Sequence, residues 1–373
     1  MTMFILAAVL VIIILLVLFL SIYPVFGGKP GEQTLARMKQ SPHYAKGKFV
    51  NTLPSAMSMS LRENLALLME FARGNKEAKP ERALAVEPID AHSLRETEGT
   101  SADVRAKVTW FGHSALMLEL DGKRLLLDPM LGRSPSPVPW IGGRRFSNDL
   151  PIEIEELPAI DAVLLSHDHY DHLDYGSIKR LKDKVGRFFV PLGVAAHLER
   201  WGVAPDRIEE FNWWEEAVWE GIRLACTPAR HFSGRGITGR NGTLWCSWVL
   251  HGQSARIFFS GDSGYGPHFR QIGDKFGPFD LTLMECGQYD ERWAAIHMLP
   301  EESVQAHQDV NGEVMIPIHW GAFRLALHDW RDPVERVIKK AKEQSIKIAT
   351  PRIGEPVQIG TGIYPTNEWW RSY

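Results

Sequence analysis

Seven consecutive residues, Ser166-His167-Asp168-His169-Tyr170-Asp171-His172, hold three imidazoles and two carboxylates. They follow directly on Ala162-Val163-Leu164-Leu165, an apolar run that reads as a short buried strand. In an extended exit from that strand, His167 and His169 project to the same side because strand side chains alternate. A turn toward the next helix then brings Asp171 and His172 round to the same cavity. Imidazole nitrogen and carboxylate oxygen suit zinc and related divalent ions. So many polar groups beside a core would be costly to leave unpaired, although a histidine-rich surface turn is the plainer alternative. Three further residues stand just past apolar strands: His231 after Cys226-Thr227-Pro228-Ala229-Arg230, Asp262 after Phe258-Phe259-Ser260-Gly261, and His319 after Ile316-Pro317-Ile318. Each alone is explained by a satisfied strand-end histidine or a turn aspartate. Together with His167, His169, Asp171 and His172 they make seven ligands, enough for two metal ions sharing one carboxylate with room for water.

Several elements must carry these residues to one place. The chain has 373 residues, 45% hydrophobic and 23% charged, an ordinary globular composition rather than a disordered one. Residues 108–128 read as a hairpin, alternating through Leu116, Leu118 and Leu120, turning at Asp121-Gly122 and returning through Leu125-Leu126-Leu127. Asp174 caps a helix whose apolar positions are Ile178, Leu181 and Val185. Residues 222–226, 244–250, 256–259 and 314–318 read as strands, and Pro300 with Glu301 and Glu302, and Asp332 with Pro333, mark two helix starts. This pattern predicts an α+β architecture of packed layers, not an all-β barrel or a helical bundle.

Composition removes other classes. Lys+Arg 42 against Asp+Glu 45 leaves a formal charge of −3, which argues against a basic nucleic-acid binder. The three cysteines, Cys226, Cys246 and Cys286, exclude a disulfide scaffold and a four-cysteine zinc site. Residues 3–26 carry no charge and are long enough to span a bilayer. A cleaved signal peptide is the alternative, but no Lys or Arg precedes the run and no convincing cleavage site follows it. Lys29, Arg37, Lys39, Lys46 and Lys48 all lie after it, which places the rest of the chain on the cytoplasmic side of the cell membrane. The expected organisation is a single-pass anchor over 1–28, a connector with some helix, around residues 61–71, over 29–103, and a catalytic domain over 104–373. The sequence allows a homodimer.

With these residues in place the chain resembles the metallo-β-lactamase superfamily, through the H-x-H-x-D-H run, His231, Gly261-Asp262 and His319. The likeness is closer to the branch of phospholipases D that hydrolyse N-acylphosphatidylethanolamine and to its lactonase relatives. It is carried by Trp110-Phe111-Gly112-His113-Ser114, Leu127-Asp128-Pro129, Thr227-Pro228-Ala229-Arg230-His231, Thr243-Leu244-Trp245, Gly261-Asp262-Ser263-Gly264-Tyr265, His297-Met298-Leu299-Pro300 and Ile318-His319-Trp320-Gly321. The resemblance implies an αββα sandwich, preceded here by the transmembrane helix. His167, His169 and His231 would hold one zinc, Asp171, His172 and His319 a second, and Asp262 would bridge them. A hydroxide between the two ions would be the nucleophile, with Asp171, Asp262 and His297 as the catalytic group. Asp128 and His113 would support the ligands, the alternative for Asp128 being a turn aspartate before Pro129. Tyr289 and Arg292 would face substrate, although Arg292 also reads as half of a surface ion pair. The implied activity is a zinc-dependent phosphodiesterase acting on N-acylphosphatidylethanolamine-like lipids. A lactonase or other small-ester hydrolase is the alternative, and a non-catalytic membrane-bound regulator the third reading. Cys286-Gly287-Gln288-Tyr289-Asp290-Glu291-Arg292 departs from the Ile-Gly-Ala-Tyr-Glu-Pro-Arg type of that branch, which touches the lipid specificity and not the metal chemistry.

Overall fold

Runs that are apolar at every position, such as Leu125-Leu126-Leu127 and Ile257-Phe258-Phe259, are fully buried. Such strands need cover on both faces, and that requirement sets the layering. The computed structural model describes residues 4–5, 7, 9–11, 19, 22–55, 60–92, 94, 103–140, 143–236 and 239–373. After a short hairpin, β1 (Tyr44–Ala45) and β2 (Lys48–Phe49), the strands form two seven-stranded sheets. The first holds β3 (Ala106–Trp110), β4 (Leu116–Leu120), β5 (Lys123–Leu127), β6 (Ile160–Leu164), β7 (Val185–Pro191) and β8 (Ile208–Phe211). The second holds β9 (Glu216–Trp219), β10 (Ile222–Thr227), β11 (Ser247–His251), β12 (Arg256–Phe259), β13 (Phe279–Glu285), β14 (Gly312–Ile318) and β15 (Lys347–Ile348). A last strand, β16 (Pro356–Ile359), crosses back to pair with β3 and completes the first sheet.

Leu118, Leu125 and Leu164 on one side and Trp248, Phe259 and Leu283 on the other belong to one core cluster between the sheets. The outer face of the first sheet, with Met117, Leu126, Val163 and Phe188, is covered by α3 (Tyr175–Leu181) and α4 (Ala195–Arg200). The second sheet is covered by α5 (His268–Phe276), α6 (Pro300–Asp309) and α7 (Asp332–Glu343) through Phe269, Val304 and Val337. The order is helix, sheet, sheet, helix, so the α+β fold and its four layers are present. Two earlier helices, α1 (Glu32–Gln40) and α2 (Leu61–Arg73), lie outside the sheets. Met38, Phe49 and Leu84 from residues 29–103 nevertheless join the central core.

Local signals explain the element ends. Asp174 accepts the Ser177 N–H at 2.6 Å and starts α3, and Glu302 accepts the Leu299 N–H at 2.9 Å at the start of α6. The helix expected to reach Val185 stops at Leu181, and Val185 opens β7 instead. Phe188, Phe189 and Val190 favour a strand there, and pairing with β6 and β8 outweighs the helical spacing. Among the described residues no helix is long and apolar enough to cross a membrane. Most of the span expected over residues 3–26 lies outside the described residues. Its end is docked on α4: Trp201 Nε1 donates to Pro24 O at 2.7 Å, Arg200 to Gly27 O at 2.7 Å, and Gly28 N–H to His197 Nδ1 at 3.0 Å.

Candidate metal centre

Parallel pairing decides where the site lies. β5 runs parallel to β6, and β12, β13 and β14 run parallel to one another, so within each sheet their C-terminal ends share an edge. Asp128, the 167–172 loop, Asp262 and His319 leave from those ends. Gly261 (φ +55°) makes the approach of the two halves possible, since a Cβ there would stand 2.7 Å from both Cys246 O and Ser166 Cβ. His113, Asp128 and His319 take positive φ values of 57°, 40° and 69°, a conformation costing on the order of 1–3 kcal/mol for residues other than glycine. Backbone bonds hold two of them: His113 N–H donates to Trp320 O and His319 N–H to His113 O, both at 2.9 Å.

The seven expected ligands come together in two groups that meet at Asp262. His167 Nε2 lies 2.9 Å from His169 Nδ1, which lies 3.2 Å from His231 Nε2. Nitrogens bound to zinc at ~2.0–2.1 Å stand ~3.4 Å apart around a tetrahedral centre, so this trio is close to that spacing. Asp262 Oδ2 is 3.7 Å from His167 Nε2, 3.7 Å from His231 Nε2 and 3.0 Å from His172 Nε2. Its other oxygen is 3.1 Å from His319 Nδ1, and Asp171 Oδ2 is 3.4 Å from His172 Nε2. His172 Nε2 and Asp262 Oδ1 are buried at these short distances yet have no hydrogen-bond partner in good geometry. Atoms that crowd together without bonding to each other are arranged around a common point. The donor chemistry, the spacing and the orphaned atoms all fit a divalent metal pair.

Supporting groups fix which nitrogens face inward. Asp128 accepts the Ser166 N–H and His172 Nδ1–H, each at 2.7 Å, and also the Ser166 hydroxyl. With its proton given to Asp128, Ser166 Oγ accepts from His167 Nδ1 at 2.9 Å. His231 Nδ1 donates to Ile296 O at 2.9 Å. In their neutral forms all three rings therefore keep the Nε2 lone pair free. Burial depresses His167, His231 and His319 well below the usual histidine range, which keeps them neutral. Burial disfavours charge on His172 as well, but Asp262, Asp171 and Asp128 surround it and hold it well above that range. Burial alone would raise Asp171 and Asp262, yet the neighbouring histidines hold both well below the usual carboxylate range.

The other expected residues are distributed unevenly. His113 Nε2 lies 2.9 Å from Asp171 Oδ2, so it touches the ligand set directly. The His297 ring stacks on His319 at 5.2 Å and lies 4.9 Å from the His231 ring. Tyr289 and Arg292 have their polar ends engaged elsewhere. The Tyr289 hydroxyl bonds to Asp332 and accepts from Arg336, while Arg292 pairs with Asp290 at 2.7 Å and Glu70 at 2.9 Å. Asp168, within the histidine run, serves the loop: it accepts from Gly234 N–H at 2.7 Å, Thr243 Oγ1 at 3.0 Å and His197 Nε2 at 3.2 Å. Sequence reasoning missed Ser166, Ser114, whose hydroxyl lies 3.1 Å from His319 Nδ1, and above all Glu285. Glu285 ends β13 wholly buried, groups with Asp262, His297 and His319, and is pushed by burial up to about 7. The signal that marked Asp262 and His319, an acid or histidine closing an apolar strand, was present there too.

The family model for the beta-lactamase superfamily domain matches residues 123–320. An uncharacterized protein of Mycobacterium tuberculosis is 42% identical over 349 residues, 92% of this chain and 91% of its own length. The N-acyl-phosphatidylethanolamine-hydrolyzing phospholipase D 1 of Caenorhabditis elegans is 35% identical over 234 residues, covering 60% of this chain and 65% of the worm protein. Among solved structures, the isothiocyanate hydrolase from Delia radicum gut bacteria superposes with a TM-score of 0.54 at 21% identity, covering 68% of this chain and 98% of that one. That last likeness speaks for the fold alone. The family match starts with β5 and ends one residue past His319, taking in strands of both sheets and every strand end that bears a candidate ligand, and the chain belongs to the metallo-β-lactamase superfamily, among its metal-dependent hydrolases.

Proposed function

We propose that this chain hydrolyses a phosphodiester bond in a phospholipid of the N-acylphosphatidylethanolamine kind, using two divalent ions, with zinc the fitting metal. The observation that carries the reading is the position of Asp262, one oxygen toward His172, His167 and His231 and the other toward His319. His167, His169 and His231 would hold one ion, and Asp171, His172 and His319 the other. When bound, such a pair supplies Lewis-acid polarisation and a water acidic enough to ionise near neutral pH. The chain's own part is to keep His167, His231 and His319 neutral by burial, to fix the tautomers of His172, His167 and His231 through Asp128, Ser166 and Ile296 O, and to present His297 at the edge of the cluster. Similarity to the worm phospholipase supports the bond type. The exposed side chains of Leu65, Leu68 and Met69 on α2 and of Trp140 support a lipid environment, and the uncharged, apolar composition of residues 3–26 fits a single-pass anchor. A lactone or other small ester is the second reading. It is favoured by Arg292, whose guanidinium is already paired with Asp290 and Glu70 and so is not waiting for a phosphate.

The test is a side-by-side assay of zinc-loaded full-length protein on N-acylphosphatidylethanolamine vesicles, a soluble phosphodiester and a lactone. Turnover of both phosphodiesters with about two metal ions per chain is expected. Asp262→Asn should lower metal content and turnover together. Turnover of the lactone alone selects the second reading, and full activity after complete metal removal overturns both.

A further inference from the structure

Glu285 is a carboxylate that the metal set does not need, yet it is fully buried and saturated with donors. Its Oε1 accepts two backbone N–H groups, from Ser263 and from Met298, both at 3.0 Å. Its Oε2 lies 2.8 Å from His297 Nδ1. Ser263 follows the bridging Asp262, and Met298 follows His297, so one side chain ties both segments to the end of β13. Backbone N–H groups can only donate, which pins Oε1 as an acceptor and turns Oε2 to the imidazole. When ionised, the carboxylate accepts the Nδ1 hydrogen, and a neutral His297 ring then keeps its lone pair on Nε2. His297 sits where such a nitrogen is useful. One of its ring nitrogens is within 4.8 Å of ligand atoms of Asp262 and His319. Its side chain keeps 12% exposure, against 1% or less for His167, His172, His231 and His319. Together with His169, which is also partly exposed, it is a histidine of the site that solvent reaches.

We propose that Glu285 is a positioning residue for His297, orienting the ring and setting its tautomer so that Nε2 is the nitrogen presented to substrate. A brace that merely joined Ser263 to Met298 would need only Oε1, and an amide would serve it equally well. That difference makes Glu285→Gln the informative variant. The glutamine oxygen keeps the two backbone donors, while its NH2 faces Nδ1 and can only donate. The variant therefore holds the segments together but inverts the tautomer of His297.

The role rests on the hydrolase reading for its kinetic arm only. The first measurement is the imidazole 15N spectrum of zinc-loaded full-length protein, with the His297 signals assigned by their loss in His297→Asn. Hydrogen on Nδ1 in the wild type and on Nε2 in Glu285→Gln is expected, with metal content unchanged. The second measurement is turnover of bis(4-nitrophenyl) phosphate and of N-acylphosphatidylethanolamine vesicles. Glu285→Gln should lower kcat by about ten- to a hundredfold with KM little changed, the size usual for a group that orients another. In a His297→Asn background it should have no further effect. Wild-type His297 with hydrogen on Nε2 overturns the proposal, even if Glu285→Gln fails to fold. So does an equal loss of kcat with and without His297. Absence of any turnover by the wild type would sink the hydrolase reading, while the spectrum would still decide the role of Glu285.

Discussion

Asp128 shows how much of this site is carried by a residue outside the seven expected ligands. It takes three hydrogens, and through them sets His172 directly and His167 by way of Ser166. Asp128→Asn would place an NH2 either at Oδ2, facing both the Ser166 hydroxyl and His172 Nδ1–H, or at Oδ1, facing the Ser166 N–H, so a hydrogen bond that sets the site is lost either way. Metal affinity should fall by about ten- to a hundredfold with the fold intact, as measured by competition with a chelator; wild-type affinity would show that the tautomers are set by other groups. At this scale the sequence was largely readable, because His167, His169, Asp171 and His172 are neighbours in the chain and His231, Asp262 and His319 each close an apolar strand. Glu285 carries the same strand-end signal, but its role is not legible in the sequence, because that role lies in Ser263 and His297, which only the fold brings to it. Arg292 was ambiguous for the same reason: an arginine near a site reads alike whether it awaits an anion or already has Asp290 and Glu70.

At the level of elements, the hairpin β4–β5, the strand β6 and the starts of α6 and α7 follow from alternation and capping, whereas the stop of α3 before Val185 follows from sheet pairing that no local pattern encodes. The helices that cover the second sheet carry a second consequence. His307 on α6 is buried against β13, its Nδ1 2.7 Å from Thr282 Oγ1, and burial pushes it down to about 4. In the unfolded chain it titrates near 6.5. Above about pH 6.5 both states are neutral and the group has no effect. Between about 6.5 and 4 the unfolded state binds a proton that the folded state refuses, so stability falls as pH falls, by up to about 1.4 kcal/mol per pH unit. His307→Gln should remove that part of the acid slope, read from urea midpoints at pH 7.5, 6 and 5; an unchanged slope would place the acid sensitivity elsewhere. The docking of residues 24–28 on α4 is equally invisible to sequence patterns, since Gly28 and His197 are 169 residues apart. A Cβ on Gly28 would stand 2.0 Å from Ala196 O, and one on Gly27 2.0 Å from His197 Nδ1. Gly28→Ala should therefore lift this segment, costing about 1–3 kcal/mol and exposing residues 22–30 to limited proteolysis, which the wild type should resist.

For the molecule as a whole, that docked segment joins the N-terminal apolar run to the loop that bears His167, His169, Asp171 and His172. Arg235 donates to Val25 O at 3.0 Å and to Leu173 O at 2.7 Å, and its guanidinium lies 4.1 Å from the centre of the Tyr170 ring. A run anchored in a bilayer would thus hold the 167–172 loop at a short, fixed distance from the surface. Anchoring of this kind changes the concentration of substrate that the site meets and not the chemistry within it. The two effects separate cleanly. Deleting residues 1–21 leaves Pro24 to Gly28 on α4, so the rate on a soluble phosphodiester should stay within about twofold. The rate on N-acylphosphatidylethanolamine vesicles should fall by about ten- to a hundredfold, within the range expected when a tethered encounter becomes a free one. Sedimentation with vesicles should be lost in parallel, and detergent-dispersed lipid should abolish the difference because the surface no longer matters. Equal loss on both substrates would mean that the run belongs to the folded domain, and no loss on either would remove the anchor from the account of how this enzyme meets its substrate.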